Sequence, residues 1–292
     1  MSRRATGDSP WTPSSPMPMM DSHRAGVLSG ARTDVSETVM RILILGGTTE
    51  ARRLAERLVH RADLAVTVSL AGSTTAPARQ AVPVRTGGFG GVQGLADYLA
   101  AERVHVLIDA THPYAANISS NAAEAAARTR VPLLALRRPP WVPRAGDNWT
   151  EVADPDAAVQ ALGPSPRRVF LALGRSEIGS FTQAPQHSYL VRSVEPVDPP
   201  LAVPRAAYVT GRGPFTEADD RGLLRTHAIE IVVAKNSGGA ATYGKMAAAR
   251  ALGLAVILLR RPALPETPAV ETVDDAVAWL DHASALPIER GV

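Results

Sequence analysis

Short apolar runs alternate with amphipathic segments along most of this sequence, and no other feature limits the possible fold as much. The run RILIL at Arg41–Leu45 has the composition of a strand that is buried on both faces. The segment Glu50–His60 places Leu54, Leu58 and Val59 on one side of a helix. Because strands that alternate with helices form parallel sheets with right-handed crossovers, the pattern predicts an α/β fold.

The alternation continues on both sides of a proline-rich stretch, RRPPWVPR at Arg137–Arg144. Such a stretch interrupts regular structure, so we place a domain junction there. We expect two doubly wound Rossmann-like domains with parallel sheets and a cleft between them, the first at 40–140 and the second at 141–292. The polar segment 1–39 is expected to be a disordered extension, an upstream start or a cloning remnant. Among the predicted helices are Tyr114–Arg128, Gly239–Leu252 and Val273–Ala283.

Composition narrows the possible partners. The formal net charge is only +3, which does not favour nucleic acid but suits a small acidic ligand. No apolar run approaches the ~18 residues of a membrane span, so no membrane partner is expected. The absence of cysteine excludes disulfides and thiolate metal sites, and we expect a cytoplasmic protein. The seven histidines are scattered, so no metal site is predicted.

A turn rich in glycine and threonine follows the first predicted strand and opens a helix. It reads Gly46-Gly47-Thr48-Thr49-Glu50. The backbone N–H groups and the positive helix end at such a turn bind a pyrophosphate, and the hydroxyls add donors and a cap. The turn departs from G-x-G-x-x-G, since threonine stands at the second glycine position and alanine at the third. An ordinary capped strand-to-helix turn is the alternative.

The end of the second strand indicates which dinucleotide is bound. In the NAD pattern an acidic residue closes this strand and binds the ribose hydroxyls. Here the strand ends without an acid, at a stretch from Ser69 through Gly72 to Thr75, and Asp63 lies at the wrong end. Hydroxyls and small residues leave room for a 2′-phosphate, and Arg79 is close in sequence. We therefore expect NADPH, although the hydroxyls also fit a plain loop.

Two more loops follow predicted strands and should lie at the same sheet edge. One is glycine-rich and suits close approach of a flat ligand. The other, DATHPYA, brings polar groups to the start of a helix, with Pro113 at its first position. His112 could bind the cofactor or substrate or donate a proton; a structural histidine and a flexible loop are the alternatives. The candidate cofactor contacts in these loops are Gly87, Gly88, Phe89, Gly90, Thr111 and His112.

Only two of the 31 basic residues are lysines, Lys235 and Lys245, and both lie in one stretch after the strand EIVVA. A chain so biased towards arginine indicates a specific need for lysine, a compact cation that can neutralise a carboxylate or donate a proton. We expect Ser237, Gly238 and Gly239 to form an anion cradle at a helix start. A solvated lysine pair on a helix-entry loop is the alternative.

Arginines follow two other predicted strands of the second domain. Arg175 comes after VFLAL, and Arg212 and Gly213 come after AYVT. Arginine suits bidentate binding of carboxylates. Together with Lys235, these residues would make the cleft face of the second domain cationic, although each arginine alone also fits a surface position.

Seven of these segments, in order, resemble the precorrin-6A reductase family, also called the precorrin-6x reductase family. They span Arg41 to Pro262 and read ILGGTTEAR, SLAG, DATHPYA, LRRPPW, GRGPF, AKNSGG with TYGK, and ILLRRP. The resemblance implies two Rossmann-like domains and an NADPH-dependent reduction in cobalamin biosynthesis. Hydride would pass to a double bond beside ring D of precorrin-6A, and a proton would complete the reduction to precorrin-6B.

The resemblance also assigns the ligands. The glycine-threonine turn and SLAG would bind NADPH, and the second domain would bind the acidic tetrapyrrole; neighbouring enzymes of the pathway are further possible partners. The proton donor is left open among Lys235, His112, Tyr114 and solvent. The resemblance does not choose between the cobalt-free and the cobalt-containing substrate.

Three other functions compete with this one. A short-chain reductase or epimerase would carry Tyr-x-x-x-Lys, whereas Tyr243-Gly244-Lys245 has the wrong spacing. A non-catalytic NADPH sensor would need no cationic second cleft, and a glycosyltransferase-like protein would prefer a nucleotide sugar. Replacement of Lys235 by Ala separates enzyme from sensor, since only the enzyme would lose turnover while keeping NADPH affinity.

Overall fold

A computed structural model describes residues 39–72 and 78–285, with side chains through residue 283. The expected extension at 1–39 and the hydroxyls of Ser73 to Thr75 therefore lie outside the described residues, apart from Val39. The strands are β1 (Met40–Leu45), β2 (Leu64–Leu70), β3 (Val84–Thr86), β4 (Val106–Asp109), β5 (Leu133–Leu136), β6 (Asn148–Val152), β7 (Arg168–Ala172), β8 (Ser188–Ser193), β9 (Ala206–Thr210), β10 (Ile231–Lys235), β11 (Ala255–Leu259) and β12 (Ala269–Val270). The α-helices are α1 (Thr49–Leu58), α2 (Gly91–Ala101), α3 (Ala116–Thr129), α4 (Pro155–Leu162), α5 (Arg175–Ile178), α6 (Glu217–Thr226), α7 (Gly244–Ala251) and α8 (Val273–Ala285), and a 3-10 helix covers Gly179–Gln183.

The first sheet has six parallel strands in the order β3-β2-β1-β4-β5-β12. Its strands are apolar on both faces because helices cover both. Ile42 and Ile44 face the core that includes Leu54 of α1 and Leu280 of α8. Leu43 and its neighbours face the opposite core, under α2 and α3. The strand order reverses between β1 and β4, which is where doubly wound sheets bind ligands.

The second sheet also has six parallel strands, in the order β9-β8-β7-β10-β11-β6. One face packs against α4 and the 3-10 helix, with Val233 and Phe181 in that core. The other face packs Phe170 and Val232 against Met246 of α7. Here the order reverses between β7 and β10, so both sheets have one switch point each. The predicted fold class, two doubly wound Rossmann-like domains, is confirmed.

The C-terminal segment differs from the predicted domain division. We placed all of 141–292 in the second domain, but β12 pairs with β5 of the first sheet. Helix α8 follows, and its Ala276 and Leu280 are buried in the first core. The chain thus crosses between the sheets twice, once after β5 and once after β11. None of the helices in the described part combines the length and hydropathy needed to cross a bilayer.

Two predicted helix starts are wrong. Helix α3 begins at Ala116, so Pro113 and Tyr114 lie in a preceding turn, closed by a 2.7 Å bond from the Ala115 N–H to the His112 carbonyl. Helix α7 begins at Gly244 instead of Gly239. Gly238 and Gly239 both have φ of +69°, outside the right-handed helical region, so the chain cannot be helical there.

Candidate active site

The turn after β1 has the geometry of a phosphate cradle. An ideal Cβ on Gly46 would lie 2.9 Å from Val68 Cγ1, so only glycine fits beside β2. Gly47 is exposed and has φ of +109°. An ideal Cβ there would have no atom of a non-adjacent residue within 4 Å. Thr48 Oγ1 accepts from the Ala51 N–H at 3.1 Å and donates to the Ala110 carbonyl at 2.7 Å, which caps α1 and fixes the turn. The first-turn amides of α1, including that of Thr49, can therefore face a ligand.

The neighbouring edge, at the ends of β2 and β3, is organised by an arginine that the sequence reasoning missed. Arg85 donates to Ser69 Oγ at 3.2 Å, to the Gly88 carbonyl at 2.7 Å and to the Gly87 carbonyl. Its guanidinium lies 3.7 Å from the ring centre of Phe89. The signal in the sequence was a basic residue at the end of a strand whose neighbour lacks the usual acid. We named Arg79 instead.

Two further candidates flank this edge. Gly72, with φ of +77°, packs against Thr86. Gly90 is exposed, has φ of +82° and caps α2 at its N-terminus. The glycine-rich loop therefore lies beside the end of β2, as expected, and Arg85 holds two of its carbonyls.

A buried carboxylate fixes the loop after β4. Asp109 is 3% exposed and accepts from the Thr111 hydroxyl at 2.7 Å, the Thr111 N–H at 3.2 Å and the Ser119 hydroxyl at 2.6 Å. The hydroxyl of Thr111, a candidate cofactor contact, thus donates its hydrogen bond to Asp109 within the protein. These bonds tie the loop to β4 and α3, and His112 follows Thr111 in it at the switch point.

His112 is half-buried and neutral at pH 7. Burial lowers the pKa of His112 to about 3, and the positive charges of Arg138, Lys235, Arg261 and Lys245 act in the same direction. Its Nδ1 accepts from the Tyr114 N–H at 3.3 Å, so Nε2 carries the ring proton. At neutral pH the ring offers a hydrogen-bond donor, not an acidic proton.

Tyr114 leaves the first sheet and packs against the core of the second. Its hydroxyl donates to the Leu259 carbonyl at the end of β11 and accepts from the Asn236 N–H at 2.7 Å. Burial raises the pKa of Tyr114 to about 12. The two backbone partners occupy the hydroxyl, so the geometry fits a link between the two sheets better than an acid.

The switch point of the second sheet holds an ion pair. Lys235 ends β10, and its Nζ lies 2.6 Å from Oε1 of Glu177, which belongs to the short helix after β7. The same Nζ is 5.1 Å from the ring centre of Tyr114. Because Tyr114 follows β4, the crevices of the two sheets meet at this ring.

The loop after Lys235 is held by the crossover segments. Arg138 forms an ion pair with Glu50 of α1 and donates to the Ser237 carbonyl at 2.7 Å. Arg261 donates to the carbonyls of Asn236 at 2.8 Å, Arg138 at 2.9 Å and Ser237 at 3.1 Å. The Glu50 carboxylate, which we expected to contact the cofactor, is therefore used to join α1 to the second sheet.

The stretch Ser237–Gly239, predicted to be an anion cradle, is also held by the crossover segment. A Cβ on Gly238 would lie 2.1 Å from the Pro139 carbonyl oxygen, and one on Gly239 would lie 2.8 Å from Arg138 Cδ. Trp141 Nε1 donates to the Gly239 carbonyl at 2.8 Å. The stretch thus packs against the crossover, and it is not an anion cradle at a helix start.

The predicted arginines lie at the same edge of the second sheet but are exposed. Arg175 opens α5, and its Nη2 lies 3.3 Å from the Pro196 carbonyl oxygen. Arg212 is exposed in the loop after β9. A Cβ on Gly213 would be 3.1 Å from the Ala241 carbonyl oxygen, so this loop packs on the segment before α7.

The second lysine is buried instead of facing the crevice. Lys245 is 4% exposed, donates to the Thr242 carbonyl at 2.6 Å and lies 4.8 Å from the ring centre of Trp141. Burial lowers the pKa of Lys245 to about 7. Over residues 39–72 and 78–285, no three His, Asp or Glu side chains come together as metal ligands.

Comparisons with known proteins agree on one family. Residues 41–281 match the model described as Precorrin-6x reductase CbiJ/CobK. A Precorrin-6A reductase from Sinorhizobium sp is 54% identical over 242 residues, which cover 83% of this chain and 93% of that protein. Another from Rhodobacter capsulatus is 52% identical over 252 residues, with 86% and 99% covered. A Cobalt-precorrin-6A reductase from Priestia megaterium is 28% identical over 247 residues, with 81% and 96% covered.

A solved structure extends the agreement to the fold. The chain superposes on "CobK precorrin-6A reductase" with a TM-score of 0.81 and 50% sequence identity, covering 86% of this chain and 100% of that one. The resemblance seen in the motifs is confirmed: the chain belongs to the precorrin-6x reductase family, the oxidoreductases that act in cobalamin biosynthesis.

Proposed function

We propose that the protein reduces precorrin-6A to precorrin-6B with NADPH. The observation that carries the proposal is the meeting of the two crevices, with Lys235 Nζ 5.1 Å from the ring centre of Tyr114. A cofactor at the first switch point and a macrocycle at the second would share the wall that His112 and Tyr114 form. Membership in a reductase family sets aside the non-catalytic sensor.

The first crevice suits a nicotinamide dinucleotide. Gly47 is exposed, and an ideal Cβ there would have no atom of a non-adjacent residue within 4 Å, so the turn leaves open space at this position. When bound, NADPH supplies a hydride from its nicotinamide ring. The chain supplies the amides of α1 for the pyrophosphate and Arg85 for the 2′-phosphate. Since β2 ends without an acid, nothing there binds the two ribose hydroxyls of NADH in the usual way.

The second crevice suits a substrate with carboxylates. Lys235 lies in this crevice, paired with Glu177, and the positive charges of Arg138 and Arg261 are near enough to lower the pKa of His112. A carboxylate placed among these cations would be stabilised. We propose the cobalt-free substrate, because the relatives named for it match at 54% and 52% identity, against 28% for the relative named for the cobalt form.

The reduction needs a proton as well as the hydride, and Lys235 is the donor that we favour. The hydride adds to one atom of the double bond, and the proton to the other. Tyr114 has its hydroxyl between two backbone groups, and His112 is neutral. Solvent is the alternative donor. Lys235→Arg keeps a cation that does not deprotonate, so it would lose turnover if Lys235 is the donor and keep it if solvent is.

Anaerobic cofactor oxidation in the presence of precorrin-6A tests the proposal. We expect turnover with NADPH and much less with NADH. Equal turnover with both would keep the reaction and remove the assignment of the 2′-phosphate to Arg85. Binding of NADPH without oxidation would contradict the proposed substrate.

A further inference from the structure

The group that contacts Lys235 is an acid that no motif singled out. Glu177 lies on α5, directly after β7, and its Oε1 is 2.6 Å from Lys235 Nζ. The two side chains are only 21% and 15% exposed. Strands β7 and β10 are neighbours, and the strand order reverses between them. The pair therefore spans the switch-point crevice of the second sheet.

The backbone is shaped around this pair. A Cβ on Gly174 would lie 2.5 Å from Glu177 Oε2 and 3.5 Å from Lys235 Nζ. The Glu177 N–H donates to the Gly174 carbonyl at 3.1 Å, which turns the chain back over the end of β7. A side chain at 174 would displace the carboxylate, so the glycine leaves the space that the carboxylate of Glu177 occupies.

Only one oxygen of the Glu177 carboxylate is paired. Glu177 Oε2 is buried and has no hydrogen-bond partner in the part of the chain that the structure describes. A buried carboxylate that only stabilises the fold normally has donors on both oxygens, since an unpaired oxygen costs free energy. Here one oxygen is left unpaired while the other holds the lysine. An unpaired buried oxygen calls for an explanation, and a role in the crevice is one that its position beside Lys235 suggests.

We propose that Glu177 is a positioning residue: it holds the Lys235 ammonium at the switch point and yields it to a carboxylate of the substrate. Lysine has a long flexible stem, so without this partner its ammonium can take many positions. The substrate carboxylate then competes with Glu177 for the same ammonium. This inference rests on the proposed function for the identity of the substrate.

The test compares Glu177→Gln with a matched control. Glu230→Gln is suitable, since Glu230 is also paired with a basic residue, Arg168, but at the opposite edge of the same sheet and 50% exposed. In E177Q we expect kcat to fall about tenfold, as expected for a misplaced catalytic group. The KM for precorrin-6A should stay the same or fall, because the competing carboxylate is gone. E230Q should change neither constant.

A second variant at position 177 separates the effect of the negative charge from that of the side-chain length. Glu177→Asp keeps the carboxylate but shortens the side chain by one methylene, so it should lower kcat less than E177Q does. A purely structural pair would raise KM and lower thermal stability along with kcat in both variants. That result, or a kcat for E177Q within about twofold of the native value, would overturn the proposal.

A direct signature is available because the chain has only two lysines. In protein labelled with ¹³C at lysine Cε, two lysine signals are expected, and Lys235→Arg assigns them. E177Q should move the Lys235 signal and leave that of Lys245 in place; E230Q should move neither. An unmoved Lys235 signal would contradict the pair. The NMR experiment contains no substrate, so it tests the ion pair independently of the proposed reaction. The proposed reaction is contradicted if the native protein does not oxidise NADPH with precorrin-6A.

Discussion

Five strands follow the same order in the two sheets, β3-β2-β1-β4-β5 and β9-β8-β7-β10-β11, and the switch points are of the same kind, but the residues at the two crevices differ in kind. The first crevice is formed by glycines, hydroxyls and the start of a ten-residue helix. The second holds an ion pair between Lys235 and Glu177, beside a helix of only four residues. A long helix start suits phosphates, and a lysine suits a carboxylate and a proton transfer. The same topology thus suits two kinds of ligand, and the difference lies in the side chains at the strand ends.

The largest effect should come from the lysine of the second crevice. Lys235→Ala removes the proposed proton donor, so kcat with precorrin-6A should fall roughly 100-fold or more, a typical contribution of a positioned acid. The Kd for NADPH should be unchanged, because the first crevice is intact. Fluorescence titration of NADPH and anaerobic turnover measure the two quantities. Turnover close to the native rate would remove Lys235 from the mechanism.

A smaller effect is expected from the cation of the first crevice. Arg85→Ala should weaken NADPH binding roughly tenfold to 100-fold, since a hydrogen bond to a charged group is lost, and should leave NADH binding little changed. Arg79→Ala is the control, because Arg79 is the residue that the sequence suggested. If Arg79→Ala lowers the preference for NADPH and Arg85→Ala does not, the 2′-phosphate is bound by Arg79 and not by Arg85.

The open glycine of the first crevice gives a still smaller effect. Gly47→Ala should weaken NADPH binding about tenfold, because the new methyl group would meet the pyrophosphate. Part of any change would be backbone strain, of about 1–2 kcal/mol for a side chain at positive φ. Gly253→Ala has a similar strain at φ of +65°, also with open space around its Cβ, but far along the chain after α7. Equal losses of NADPH affinity in both variants would mean that strain alone acts.

The last prediction concerns the pH dependence of stability and the buried lysine outside both crevices. The folded-state pKa of Lys245, about 7, lies below its ordinary value of 10.5, so between these pH values the unfolded chain binds more protons and stability rises with pH. Lys245→Met should remove up to about 1.4 kcal/mol per pH unit from the slope of the free energy of unfolding in that window. Denaturant unfolding at several pH values measures the slope. The same slope in both proteins would show that Lys245 is not the group that titrates.

The parts of the fold that depend on local pattern could be predicted. After their first residue RILIL and EIVVA are continuous apolar runs, and these apolar residues are buried in strands of the two sheets. The pattern missed β6, because its sequence NWTEV is half polar and lies at a sheet edge, and it missed β12, which has two residues. A strand that short carries no periodic signal. Its place in the first sheet depends on pairing with β5, far away in the sequence.

The site could be predicted only in part, because local pattern gives the positions of strand ends but not the contacts between distant residues. Strand ends gather at one edge of a parallel sheet, so the positions of Gly47, His112 and Lys235 followed from the alternation. Their partners did not, because the contacts join distant residues. Tyr114 meets Leu259 and Glu50 meets Arg138 across separations of 145 and 88 residues. Contacts of this kind depend on tertiary packing, so the local sequence pattern does not predict them.

Equilibrium titration of each ligand separately tests the division of labour between the crevices most directly. NADPH and precorrin-6A would each be titrated anaerobically into the native protein, Gly47→Ala and Lys235→Ala. We expect Gly47→Ala to weaken NADPH binding alone and Lys235→Ala to weaken precorrin-6A binding alone. If Lys235→Ala weakens NADPH binding instead, or if each variant weakens both ligands equally, the two crevices do not have the separate roles assigned to them.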